Sequence, residues 1–264
     1  MDKIEKILKI VSEGSSYKKI GGKFLFEEFE AAIYSEDFLN NLKELVKKRV
    51  PWMFPLLVSY ISPVFSSYSI KEYLRGLHCS NKIVLNLGSG TTHFDDVIAI
   101  DGSNYENVDI VADLEKLPIK DNSVDAVLSF GVLEHVENPK AHVSEFARIL
   151  KSGGKVVCFV PFMQPFHASP YDFQRYTDKG LIKLFEDFHV SNVRVGSGPT
   201  SSLVWVLQEW LAMVLSLGSK RLYKILVPLM WVLSPLKILD VLLAKHPCAS
   251  VSASGFLIEC EIKK

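Results

Sequence analysis

Asp101 and Asp113 follow two short apolar stretches, VIAI and VDIV, and a third stretch, KIVLNL, opens onto Gly88, Ser89 and Gly90. Apolar runs bounded by turn residues read as buried strands of a parallel sheet, and open sheets of this kind bind ligands at the carboxyl ends of their strands. The glycines let backbone approach a ligand in conformations that a side chain resists. A carboxylate ending the next strand can accept hydrogen bonds from a pair of ribose hydroxyls. A second grouping lies in PFMQPFHASPYDFQRYT, where His167, Tyr171, Asp172, Arg175 and Tyr176 form the densest set of candidate polar contacts. A third candidate is His135 in GVLEHVENP. A histidine within hydrogen-bond reach of a hydroxyl can remove its proton, although a lone histidine also serves as a structural hydrogen-bonding group.

The elements that must position these residues follow from the pattern. VDAVLSF is a strand delivering the His135 loop. Asn138-Pro139 starts a helix through KAHVSEFARIL, which Ser152-Gly153-Gly154 stops. Residues 155–160 form the strand that delivers the His167 loop, Thr177 caps a helix over 178–187 with Asp178 in its first turn, and 188–195 is a further strand. Asp172 and Arg175 either contact an acceptor or pair with each other to close their loop. Gly90 and Asp101 are too close in sequence for a three-turn helix between the first two strands; TTHFDD allows at most one turn, so that helix is missing or reduced. This weakens a dinucleotide reading, because a pyrophosphate wants a glycine turn opening onto a true helix N-terminus. Thr91 and His93 are then candidates to help the loop backbone hold a ligand.

The motifs VLNLGSG, Asp101, ADLEKLPIKDNSVDAVLSFGVLEHVENP and ARILKSGGKVVCFVP occur in that order. Together they resemble the class I methyltransferases that use S-adenosylmethionine (SAM), in the branch related to ubiquinone and menaquinone biosynthesis. The resemblance covers roughly residues 82–195 and returns weakly in the last strand. It implies an α/β, Rossmann-like sheet of seven strands with the last antiparallel, SAM as cofactor, and methyl transfer. Carried over by position, it implies Gly88 and Gly90 beside the methionine part of SAM, Asp101 on the ribose hydroxyls, and Asp113 with Leu114 beside the adenine. Ser129 to Leu133 would line the cofactor; Asn86, Ser89, Gly102, Ser129 and Gly131 complete the expected set. Asn86 stands where the family usually has an acid, and Thr92 near the place of its third glycine. PYDFQRYT is similar to the PYDFWRYT segment of methyltransferases encoded with polysaccharide and cell-surface glycan genes, with Gln174 in place of tryptophan. That likeness implies acceptor contacts from Tyr171, Asp172, Arg175 and Tyr176, and a saccharide or glycolipid hydroxyl as acceptor; a quinone or other isoprenoid is the next choice. His135 and His167 are the candidate catalytic bases, and no metal motif is evident.

With 264 residues the chain can hold one sizeable α/β core with an appendage. Lys plus Arg and Asp plus Glu are both 30, so no global field selects a nucleic acid. Cysteines 79, 158, 248 and 260 form neither metal-ligand pairs nor a disulfide framework, which favours a reducing, cytoplasmic compartment. The charged start MDKIEKILKIVSEG is not read as a signal peptide.

Residues 1–77 read as an N-terminal helical cap on a methyltransferase domain spanning 78–264. Residues 2–12 form one amphipathic helix. After Gly21-Gly22, the stretch 23–50 is mostly helical, with room for one short strand. Trp52, Phe54, Tyr60 and Phe65 serve either the core, an acceptor pocket or a membrane-facing surface.

Between the last two strands, residues 200–247 form a hydrophobic helical insertion. Its first apolar run carries Gln208 and Glu209; its second carries Pro228, Pro235, Lys237 and Asp240, so neither is a clean membrane span. Helices lying in one bilayer face fit better: Trp205, Trp210 and Trp231 suit the interface, and Lys220, Arg221 and Lys224 suit anionic headgroups. A homodimer interface or a self-packed lid would hide the same surface. A different class of protein also fits, a membrane-associated partner that binds a nucleotide-like ligand without catalysis.

Overall fold

The computed structural model describes residues 2–26, 49–50, 54–77, 82–169 and 171–263. Most of the helix expected over 23–50, together with Trp52 and Cys79, lies outside the described residues.

The centre of the molecule is β3 (Val84–Leu87), buried at every position and paired in parallel with β4 (Ile98–Asp101) and β6 (Val124–Phe130). A strand without a solvent face must be apolar on both sides, and VLNL meets that condition except at Asn86. Beyond β4 lies the two-residue β5 (Ile110–Val111), and beyond β6 lies β7 (Leu150–Pro161). The last strand, β9 (Gly255–Ile262), inserts antiparallel between β7 and β8 (Phe188–Ser197). The sheet over these seven strands therefore runs β5-β4-β3-β6-β7-β9-β8, with an antiparallel terminal strand as expected.

The described sheet is wider than seven strands. Tyr17–Ile20 (β1) and Lys23–Phe26 (β2) form a hairpin that joins β5 in parallel, giving nine. The N-terminal part is thus not helical alone: α1 (Lys3–Ile10) is capped by Asp2 and Glu5, and the hairpin follows it. In β2, Phe24 and Phe26 alternate inward, and Ile7, Ile10 and Val11 join the same core as the central strands.

That core is closed by two helices with local start signals. Asn138 accepts from the Ala141 amide and Pro139 occupies the first turn of α4 (Pro139–Ile149). Thr177 accepts from the Gly180 amide at 3.1 Å to start α5 (Asp178–Leu184), shorter than the expected 178–187. Phe146, Leu181 and Phe185 pack fully buried between them and the sheet. On the opposite face, α3 (Ile70–Leu77) covers Val84, Leu128 and Val157, while α2 (Phe54–Ile61) sits farther out against the insertion. Between β3 and β4, residues 88–97 make only turns, so the first helix of the pattern is absent from this connection.

The insertion is helical throughout. Helix α6 (Pro199–Leu215) turns at Leu217 and Gly218, both at positive φ, into α7 (Lys220–Met230), a 3-10 segment (Trp231–Leu239) and α8 (Asp240–Leu243). From Lys220 to Leu243 this is one 24-residue helical run, long and apolar enough by length and composition to cross a membrane. The polar and proline residues expected to spoil a clean span lie within this run, Pro228 inside α7 and Pro235 inside the 3-10 turns. Its polar groups are tied inward. Lys237 donates to the Ser59 and Ser62 carbonyls, and Ser234 donates to the Ile61 carbonyl while accepting from Gln208. Asp240, fully buried, caps α6 by accepting from the Thr200 and Ser201 amides at 2.8 Å and from the Ser201 hydroxyl at 2.6 Å.

Candidate active site

The turn after β3 is built by positive φ. Gly88 (+66°) and Gly90 (+54°) adopt backbone that L side chains resist, and a Cβ on Gly88 would lie 2.3 Å from the Val132 side chain. The Asp101 carboxylate closes the turn by accepting from the Gly90 amide at 2.8 Å and the Ser103 amide at 2.8 Å. Gly102 adds a third backbone donor. Burial raises the Asp101 pKa, and these three amides work against that rise. Asn86 is buried, and the hydroxyls of Ser89 and Ser129 are buried without a protein partner at the same strand ends. Orphaned hydroxyls beside a glycine turn and a strand-end carboxylate fit a polar, sugar-bearing ligand.

Leu114 and Asp113 sit on a loop that α4 holds from behind. The buried His142 places Nδ1 2.7 Å from the Leu114 carbonyl, which fixes that nitrogen as the donor. One turn on, Glu145 accepts from the Leu117 amide, and Arg148 donates to the Leu117 and Ile119 carbonyls and to Asp121. Asp113 itself is exposed and accepts from the Glu115 amide at 2.9 Å. These three buttress residues were not singled out in the sequence, although their spacing puts them on one helix face.

The loops after β6 and β7 meet over the glycine turn's neighbours. His135 Nδ1 lies 2.6 Å from the Tyr171 carbonyl, and the Phe173 amide donates to the Glu134 carbonyl. Gln174 donates to the Leu133 and Val136 carbonyls at 3.1 Å each and so laces the two loops together. Asp172 and Arg175 form a two-pronged ion pair, and Asp172 also accepts from the His167 amide at 2.8 Å. Of the two readings open for this pair, the contacts seen are those of loop closure. Arg175, as the nearer cause, holds the Asp172 carboxyl down to about 2.

At the centre lies Glu134, 2% exposed, with one carboxylate oxygen lacking a hydrogen-bond partner. Its Oε1 is 3.8 Å from His135 Nε2 and 3.7 Å from His167 Nε2, and the two imidazoles meet edge-on. Burial pulls the His167 pKa down, but Glu134 and the Pro165 carbonyl outweigh it and leave the pKa raised. Tyr176 turns a buried, unpartnered hydroxyl toward this region, and burial pushes its pKa up. Tyr171 is exposed at the rim. Trp205, expected at a membrane interface, instead lays its ring 5.3 Å from that of His167. Glu134 was passed over in the sequence because a lone acid between a leucine and a histidine has no distinctive spacing. A cavity of about 540 Å³ lies elsewhere, between α3 and the β6-β7-β9 face.

Sheet order, glycine turn and strand-end acid are those of a Rossmann-like methyltransferase sheet without the first helix. Residues 85–158 match the family model described as methyltransferase domain. The chain is similar to a protein of Mycobacterium tuberculosis described as a probable S-adenosylmethionine-dependent methyltransferase, 33% identical over 31% of this chain and 37% of that one. It is also 37% identical to an uncharacterized protein of Methanocaldococcus jannaschii, over 26% of this chain and 34% of that one. The matches thus span little more than a third of these relatives' length. Among solved structures, phosphoethanolamine N-methyltransferase 2 of Haemonchus contortus aligns with a TM-score of 0.44 and 15% identity, over 87% of this chain and 61% of the other.

Proposed function

We propose that this chain is a SAM-dependent methyltransferase acting on a small or lipid-linked acceptor, in first place a saccharide or glycolipid hydroxyl. The observation that carries the reading is the Asp101 carboxylate closing the Gly88-Ser89-Gly90 turn at the carboxyl ends of β3 and β4. When bound, SAM supplies a methyl carbon on a sulfonium, which passes to an acceptor lone pair as the C–S electrons return to sulfur. The residues of this chain do the holding. Asp101 receives the ribose hydroxyls, and Asp113 with Leu114 borders the adenine. Gly88, Gly90, Gly102 and Gly131 admit backbone close to the cofactor, with Asn86, Ser89 and Ser129 as polar contacts.

Tyr171 and Tyr176 are the acceptor contacts in this reading, positioned by the Asp172–Arg175 pair. His135 and His167 each have Nδ1 against a carbonyl, which leaves Nε2 to receive the proton that the acceptor hydroxyl loses. Trp205 and Tyr176 crowd water from that point.

The same reading holds the protein on a membrane surface. Leu203, Val206, Trp210 and Met213 on α6 and Leu229, Val232, Leu236 and Leu242 on the following run are all exposed, as are Lys220, Arg221 and Lys224. Because Lys237 and Asp240 are tied inward, the run lies along the domain with its apolar face outward, the posture of a helix lying in an interface. A lipid-linked acceptor would then arrive beside Trp205.

Calorimetric titration with SAM and S-adenosylhomocysteine tests the cofactor half of this reading. Saturable binding that weakens about 10- to 100-fold in Asp101→Ala is the expected outcome, since a charged hydrogen-bonding partner is removed. No binding to folded wild-type protein would overturn it.

A further inference from the structure

We propose that Glu134, His135 and His167 hold a divalent transition-metal ion beside the cofactor cradle. The three residues come from two loops far apart in sequence, so no ligand spacing is visible in the chain, yet their ligand atoms lie within 4.8 Å of one another.

Three features fit an ion. The first is the state of the histidines. His135 Nδ1 sits 2.6 Å from the Tyr171 carbonyl and His167 Nδ1 2.9 Å from the Pro165 carbonyl. Each contact requires an N–H at Nδ1 and turns Nε2 toward Glu134, where an ion would take the place of any Nε2 proton. Metal-bound histidines commonly donate their other ring N–H to a carbonyl, which fixes tautomer and ring orientation. Arg175 Nη2 also lies 3.3 Å from His167 Nδ1, but it has the Asp172 carboxylate at 2.6 Å and the Pro165 carbonyl at 3.1 Å to donate to.

The second is Glu134 itself, a carboxylate 2% exposed with Oε2 unpartnered. The nearby Arg175 does not neutralise it, being locked onto Asp172. Buried charges are ordinarily paired or on a metal.

The third is distance. Oε1 to the two Nε2 atoms is 3.7 and 3.8 Å, too long for hydrogen bonds. Two ligands about 2.1 Å from one ion stand about 3.0 to 3.4 Å apart. Glu134 therefore needs to close by roughly a few tenths of an ångström on each histidine, and the two histidines, within 4.8 Å of each other, draw together around the ion. Two imidazoles and one carboxylate suit Zn²⁺, Mn²⁺ or Fe²⁺ and leave coordination positions for water or an acceptor oxygen. The ion and the acceptor's proton are alternatives at the same nitrogens.

The test uses the full chain, stripped with chelator and titrated with Zn²⁺ by calorimetry and with Mn²⁺ by the loss of the free-ion paramagnetic resonance signal. One ion per chain is expected, with affinity falling on the order of 100-fold in Glu134→Gln and in His167→Gln. Circular dichroism melts establish that both variants fold. Absence of saturable binding to folded wild-type protein, or wild-type affinity retained in both folded variants, overturns the proposal. SAM titration of the same wild-type sample reads the methyltransferase proposal separately, so either can fail without the other.

Discussion

Single residues decide how firmly the cradle is held. Gly88 pairs a positive φ with a neighbour that leaves no room for a Cβ. Gly88→Ala should therefore destabilise the protein by about 2 to 4 kcal/mol, the sum of backbone strain and overpacking. Adding Val132→Ala should recover the packing part only, as read by denaturant unfolding. His142 sets a pH limit. Burial lowers its pKa to about 4, against opposing pulls from the Leu114 carbonyl, Glu145 and Asp113. The unfolded chain, with the ordinary value near 6.5, then binds the proton more readily. This contribution to stability is fully present above about pH 6.5 and is lost as pH falls from there toward 4, about 3 kcal/mol in all. Urea unfolding at pH 7.5 and 4.5 should show that loss, and His142→Asn should flatten it. The glycines and Asp101 were legible in the sequence because turn chemistry and strand ends leave local signatures. His142 and Glu134 were not, because their importance comes from what other segments bring to them.

At the scale of elements, the strands of the sheet's parallel core and both caps of α4 and α5 could be read from apolar runs and cap residues. The hairpin β1–β2 could be read only in part. The short strand allowed after Gly21-Gly22 is β2, but β1 and the pairing with β5 were missed, because four-residue strands beside a two-residue partner carry too little periodicity. In the sequence Asp240 counts against a clean membrane span; in the fold it closes the N-terminus of α6. Removing it leaves two buried amides and a hydroxyl without acceptors. Asp240→Ala should cost about 2 to 4 kcal/mol, while Ser201→Ala, which deletes one bond of the set, should cost about 1. Thermal unfolding of the two variants gives the comparison. If Asp240→Ala melts with the wild type, the cap does not hold α6.

For the whole molecule, the insertion couples two surfaces. One side of α6 brings Trp205 to His167; the other carries Leu203, Trp210 and Met213 to solvent. On the membrane reading, Leu203→Ser, Trp210→Ser and Met213→Ser together should greatly reduce sedimentation with vesicles containing anionic lipid while leaving the fold intact. Replacing Lys220, Arg221 and Lys224 by serine should remove mainly the salt-sensitive part. Equal sedimentation of the first variant would sink the membrane role.

The hairpin has a bearing on self-association. An open sheet has two borders, each a template onto which another chain's strand can add. Among the described residues one border is β1, exposed at all four positions and carrying Lys18 and Lys19, so a strand docking alongside would crowd those two charges. The other is β8, whose pairing slips at Val190/Asn192 and again near Ser197, twisting that margin out of line. Neither border invites growth into a fibril. Two copies that meet would do so through helices rather than by extending the sheet, and detergent should separate them.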